Sequence, residues 1–206
     1  MKKPRRLVRN KPVRLILGLG NPGTTYAGTR HNVGFDTIDI LADLTGIPLR
    51  KSLFGGYIFG TGSHENIDIA LAKPLTFMNR SGAAVPSLLR RFSLEPERML
   101  IVCDTLDLEP GMCRLKRSGG SAGHKGIASV MQAAGSGDFM RIYIGIGHPG
   151  NKAGVPDWVL DRPDGADMNL IRGAEREAAE SILRLLTEPP ERVMHDLNRK
   201  KTSENS

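Results

Sequence analysis

Residues 15–34 read LILGLGNPGTTYAGTRHNVG, and their order decides the fold. An apolar run suited to a buried strand enters a glycine turn, and Asn21, Arg30, His31 and Asn32 follow closely. Polar, titratable side chains are thereby delivered to a strand end, where open α/β sheets hold their ligands. Beyond the turn, Phe35, Ile38, Leu41, Ala42 and Thr45 recur at helical spacing until Gly46 and Pro48 end the pattern.

The strand itself reads as residues 13–19. Residues 57–60 and 67–72 read as two more strands around a polar turn at 62–66, and 74–80 must be a loop. A helix is expected from Ser81 as N-cap, with Pro86 awkward in its interior. Residues 99–103 are wholly apolar, as in a strand buried on both faces, and Asp104 follows immediately. Further strands are expected at 112–115 and 139–146, and helices at 127–134 and 166–186, with 118–126 and 148–157 as glycine-rich loops. Strands alternating with helices predict a single α/β domain over residues 13–197. Its core is a twisted mixed β-sheet flanked by helices on both faces.

The chain has 206 residues, enough for one substantial core. It contains no apolar run long enough to span a membrane and no signal-peptide core near the start. Cys103 and Cys113 are too few for a disulfide framework or a cysteine-based zinc site, so a reduced, cytoplasmic setting is expected. The formal charge of +7 is localised. Residues 1–14 carry Lys2, Lys3, Arg5, Arg6, Arg9, Lys11 and Arg14 without an acid, while the remaining Lys and Arg equal the 22 Asp and Glu in number. Residues 1–12 thus form a flexible basic arm, either a solvated extension or a contact for phosphates. Residues 198–206 read as a disordered polar tail.

Gly18, Gly20 and Gly23 match the dinucleotide fingerprint in form only. Pro22 and the polar 24–29 segment delay the helix that should receive a pyrophosphate, and Asp39 and Asp43 fall inside a helix instead of ending a second strand. His31 is the natural proton carrier near neutral pH, and a carboxylate such as Asp104 would fix its tautomer. From position alone, helix and turn capping carry more weight for this pair. Asn79 can donate to and accept from a peptide backbone or simply shape a turn. Residues 110–137 hold Arg114, Lys116, Arg117 and Lys125 without an acid, either a phosphate site or a solvated basic loop. His64 and His195 read as exposed and idle, and His148 is ambiguous. His31, Asp104 and His124 show no metal-ligand spacing, and no nucleophile elbow is present. Neither metal nor cofactor is expected.

Five ordered motifs carry a resemblance: GLGNPGTTYAGTRHNVGF (18–35), KPLTFMNRSG (73–82), VCDTLDLEPG (102–111), GGSAGHKG (119–126) and RIYIGIGHP (141–149). Together they resemble bacterial-type peptidyl-tRNA hydrolases. The resemblance implies a monomer that hydrolyses the ester joining a peptide to the 3′ ribose of tRNA, with peptidyl-tRNA as its partner. It makes His31 the general base, Asp104 its orienter, and Asn21 and Asn79 the groups that hold the peptide backbone. It sets Tyr26, Phe77, Met78, His124 and Lys125 on the substrate, and Lys116 and Arg117 on a tRNA phosphate.

This chain departs from the family pattern at Lys125, where many members carry Asn, at Thr105 in place of Glu, and at Tyr143 in place of an arginine of the phosphate clamp. Arg141 or the basic arm could compensate for that arginine. The altered positions leave a non-catalytic RNA-binding relative on the same scaffold as the alternative. A nicotinamide-dependent oxidoreductase rests on the glycine motif alone.

Overall fold

The computed structural model describes residues 14–151 and 153–199. Seven strands form one mixed sheet in the order β2-β3-β4-β1-β5-β7-β6. They are β1 (Leu15–Gly18), β2 (Arg50–Lys51), β3 (Tyr57–His64), β4 (Ile67–Pro74), β5 (Met99–Thr105), β6 (Cys113–Lys116) and β7 (Met140–Gly145). The helices are α1 (Val33–Thr45), α2 (Val85–Phe92), α3 (Lys125–Ala134), α4 (Val155–Leu160), α5 (Gly165–Thr187) and α6 (Pro190–Arg199). No helix among the described residues is long and apolar enough to cross a membrane.

β1 and the first five residues of β5, Met99 to Cys103, are apolar at every position because both faces are covered. Ile16, Leu100, Val102 and Ile142 pack under α1, α5 and α6, while Leu15, Leu17, Met99 and Ile101 pack under α2 and α3. β4, β1, β5 and β7 are mutually parallel, so their C-terminal ends share one edge of the sheet. That edge carries the segment after β1, the segment after β4 and Asp104.

The glycines after β1 serve packing. A Cβ on Gly18 would lie 2.1 Å from the Gly34 carbonyl oxygen, and one on Gly34 would lie 2.4 Å from that of Val102. Both positions must be bare for α1 to lie against β1 and β5. A dinucleotide fingerprint is therefore not needed to explain them.

Several boundaries differ from the sequence reading. β3 and β4 run on to a two-residue turn at Glu65 and Asn66, both in the left-handed region, so Gly62, Ser63 and His64 are strand residues. Gly60 and Gly62 mimic a turn signal because Ile47 packs directly on them. Ser81 does not cap a helix; it lies buried in a 3-10 segment, Met78–Ala84, and bonds to the Met78 carbonyl. α2 starts only at Val85, which puts Pro86 in its first turn, where no N–H is needed. α6 lies beyond the last helix that periodicity marks. Its Asn198 exchanges two hydrogen bonds with the Leu115 backbone, so the polar tail cannot begin at 198. The basic arm, and the tail from 200 onward, lie outside the described residues.

Where α1 meets α5, Glu175 is 5 % exposed and has no hydrogen-bond partner among the described residues. Burial, then the charge of Asp36, pushes its carboxyl up to about 8. A carboxyl whose pKa rises on folding binds protons better in the folded state, so stability falls as pH climbs from the ordinary range toward 8. Glu175→Gln removes that loss. In urea unfolding it should stabilise the protein by about 2 kcal/mol at pH 8 and change little at pH 5.

Candidate active site

Asp104, the penultimate residue of β5, is nearly fully buried, and one of its oxygens organises the site. Asp104 Oδ1 lies 2.8 Å from His31 Nδ1 and 3.0 Å from His124 Nε2. Burial opposes its ionisation, yet the two imidazoles, through charge and hydrogen bonding, hold the carboxyl well below the usual carboxylate range. Asp104 is therefore an acceptor only, and both histidine nitrogens facing it must carry protons.

That requirement fixes the tautomers. His124 is the N-cap of α3, and its Nδ1 accepts from the Gly126 and Ile127 N–H groups at 3.1 and 3.2 Å. With Nδ1 an acceptor, the proton sits on Nε2 and points at Asp104. Both nitrogens of His124 are thus occupied by the protein. His31 keeps its proton on Nδ1, and its Nε2 lone pair has no partner among the described residues. Nε2 is also absent from the unpaired buried atoms, so solvent reaches it. Burial lowers the His31 pKa, Asp104 raises it by charge and hydrogen bond, and Lys125 lowers it; the net position is above the ordinary value.

Asn21 is fixed just as tightly. Its backbone N–H donates to Asn32 Oδ1 at 2.8 Å, and Asn32 Nδ2 returns a bond to the Asn21 carbonyl. Asn21 Oδ1 accepts the Met78 N–H at 2.8 Å, which leaves Nδ2 as the free end of the amide. Asn79 follows in the same 3-10 segment and is exposed. Tyr26 and Phe77 meet edge to face at 6.2 Å, with Phe77 56 % exposed.

A cavity of about 300 Å³ opens beside the dyad, lined by His31, Asp104, Thr105, His124, Lys125 and Tyr143 among others. Asn21, Tyr26, Phe77 and Asn79 lie outside that cavity. Its far wall is α4, which is pinned by Trp158: Nε1 donates to the Ile146 and Gly147 carbonyls, and Arg30 stacks 3.7 Å over the ring. Because Arg30 precedes His31, the same stack braces the turn that carries the histidine. Sequence reasoning missed Asn32, Arg30 and Trp158 as supports, although Asn32 and Arg30 flank His31 directly.

Two expectations need correction. Met78 lines no open wall; it is 5 % exposed and packs against Gly126. Arg141 cannot stand in for a surface clamp, because it is fully buried, bonded to the Gly137 carbonyl and stacked on Phe139. Arg117 is exposed and its guanidinium is paired with Glu191 of α6, a surface ion pair with which a phosphate would compete. Lys116 is exposed, with its ammonium 5.5 Å from the Tyr143 ring centroid.

Three metal-capable side chains, His31, Asp104 and His124, do converge despite their sequence spacing. The two nitrogens lie at hydrogen-bond distance from the carboxylate oxygen, and His124 Nδ1 is taken up by the α3 N-terminus, so the arrangement is that of a hydrogen-bonded triad. His64, His148 and His195 take no part in it.

The chain is similar to known proteins over most of its length. The family model for peptidyl-tRNA hydrolase matches residues 15–205. A peptidyl-tRNA hydrolase of Methylococcus capsulatus is 46 % identical over 187 residues, covering 90 % of this chain and 99 % of the relative. One from Halorhodospira halophila is 41 % identical over 195 residues, covering 90 % and 95 %. The crystal structure of peptidyl-tRNA hydrolase from Acinetobacter baumannii superposes with a TM-score of 0.87 at 39 % identity, covering 90 % of this chain and 94 % of that one. On sequence and fold together, this chain belongs to the peptidyl-tRNA hydrolase family.

Proposed function

We propose that the protein hydrolyses the ester between peptide and tRNA ribose, with His31 as general base and Asp104 as its orienter. The observation that carries this reading is the shared Asp104 oxygen, bonded to His31 Nδ1 and His124 Nε2, with His31 Nε2 left open. Nε2 takes a proton from water, and the water oxygen attacks the ester carbonyl carbon. The tetrahedral intermediate collapses, the carbon–oxygen bond to the ribose breaks, and the imidazolium returns its proton to the leaving oxygen. Asp104 stabilises the imidazolium between those two transfers.

Asn21 Nδ2, whose carbonyl end is anchored to Met78, suits donation to the peptide carbonyl or to the developing oxyanion. Asn79 is free to hold the next peptide group, which would make the attack effectively intramolecular. His124 has both ring nitrogens occupied by the protein, so in this reading it holds Asp104, where the resemblance sets it on the substrate. Lys116 and Lys125 supply exposed cations for the nucleic acid, the phosphates of which set the binding energy and its salt dependence.

The test is release of an N-blocked amino acid from purified aminoacyl-tRNA by the wild type. Turnover supports the enzyme; binding of the tRNA without release contradicts it. Lys125 also bears on the base. Because its charge lowers the His31 pKa, Lys125→Asn should move the acid limb of the pH–rate profile to higher pH. An unmoved limb would separate Lys125 from the base.

A further inference from the structure

The β2–β3 loop carries the most exposed large apolar residues of the described chain. Leu53 is 90 % exposed and Phe54 98 %, side by side, where isolated exposed apolar side chains are the norm. The loop is nevertheless ordered by its own hydrogen bonds. Ser52 N–H donates to the Tyr57 carbonyl at 2.8 Å, and Ser52 Oγ accepts from the Gly55 N–H at 3.0 Å. Gly56 sits in the left-handed region and accepts the Leu75 N–H at 2.7 Å. The tip is thereby fixed to the exit of β4, two residues before Phe77.

Sheet order gives this position a meaning. The ester site lies where β1 meets β5, since Asn21 follows β1 and Asp104 is the penultimate residue of β5. On one side come β7 and β6 with Arg114 and Lys116; on the other come β4, β3 and β2 with Phe77, Leu53 and Phe54. An ester joining RNA to peptide has two halves that must leave its carbonyl in different directions. Cations stand on both sides, Arg114 and Lys116 on one and the exposed Arg50 and Lys51 on the other, so what sets the two sides apart is the exposed apolar series Phe77, Leu53 and Phe54, which suits the peptide half. We propose that Leu53 and Phe54 form a remote contact for apolar side chains of the substrate's peptide, extending the Tyr26–Phe77 surface across the sheet edge. This rests on the enzymatic reading given above.

The spacing predicts where the contact begins. β3 and β2 lie two and three strands from β1, about 10 and 14 Å at ordinary strand separation. An extended peptide covers about 3.3 Å per residue, so the third or fourth residue from the ester reaches the tip. Shorter peptides do not.

The experiment compares three tRNA esters in steady-state hydrolysis: one N-acetylated leucine, an N-acetylated apolar pentapeptide and an N-acetylated polar pentapeptide. The variants are Leu53→Ala/Phe54→Ala and the conservative Phe54→Leu. We expect the double variant to lose about tenfold in kcat/KM on the apolar pentapeptide, mainly through KM. The other two substrates should change by less than about twofold, and Phe54→Leu should retain most of the apolar preference. No loss on the apolar pentapeptide would overturn the proposal. An equal loss on all three substrates would also overturn it, assigning the tip to the RNA half. Failure of the wild type to cleave even the short ester would instead overturn the enzymatic reading on which the proposal stands.

Discussion

His31→Ala should lower single-turnover release of an N-blocked amino acid from its tRNA by about 10²–10⁴-fold, the usual contribution of a positioned proton carrier. The loss should fall on the chemical step and leave tRNA affinity nearly unchanged, because the exposed cations at Lys116 and Lys125 remain. Folding should survive, since His31 closes a 3-10 turn that is held separately by Arg30 on Trp158 and by the Asn32–Asn21 pair. Full activity in this variant would remove His31 from the mechanism. Equal loss of rate and affinity would assign it to binding.

Asp104→Asn should cost less than loss of the base itself, because the imidazole stays in place. An amide at this position keeps the shape and can still accept from His124, but it carries no charge to stabilise an imidazolium. Because one oxygen of Asp104 meets both histidines, an NH2 group turned inward would face His31 Nδ1 and His124 Nε2 together and reverse the His31 tautomer. The variant has a second signature, with a sign set by the electrostatics. Asp104 raises the His31 pKa by its charge and by its hydrogen bond, so their removal lowers it. A base must be unprotonated to work, and the acid limb of the pH–rate profile should therefore move to lower pH even as the plateau falls. Lys125→Asn should move the same limb the other way, and opposite displacements from two neighbours would tie the limb to His31.

Much of this fold was legible from residue order. β1, β5 and α1 are built from uninterrupted apolar runs and a clear helical period, which need little tertiary help. β2 and α6 were not legible, because Arg50–Lys51 is a strand only by pairing with β3, and α6 is held by two buried residues, Val193 and Leu197, and by Asn198 bonding to Leu115. The segment after β4 misled for a related reason. Ser81 has the chemistry of an N-cap, but the buried 3-10 turn uses its hydroxyl locally and postpones the helix to Val85.

The site shows the same division. His31 and Asp104 stood out because each follows an apolar strand, yet their contact depends on β1 and β5 being parallel neighbours. The double attachment of Asp104 was invisible in the chain, since His124 reaches it only because α3 begins at the same sheet edge. Lys125 drew notice as a departure toward phosphate, while its charge acts also on the base. Arg141 looked available in sequence and is sealed beneath Phe139 and the Gly137 carbonyl.

The most direct test of the central claim is a ¹⁵N NMR titration of the His31 ring in the wild-type protein. The account predicts a proton on Nδ1, a free lone pair on Nε2, and a pKa above the ordinary histidine value that coincides with the acid limb of the single-turnover profile. A proton on Nε2 in the neutral ring, or a titration that does not coincide with that limb, would contradict it.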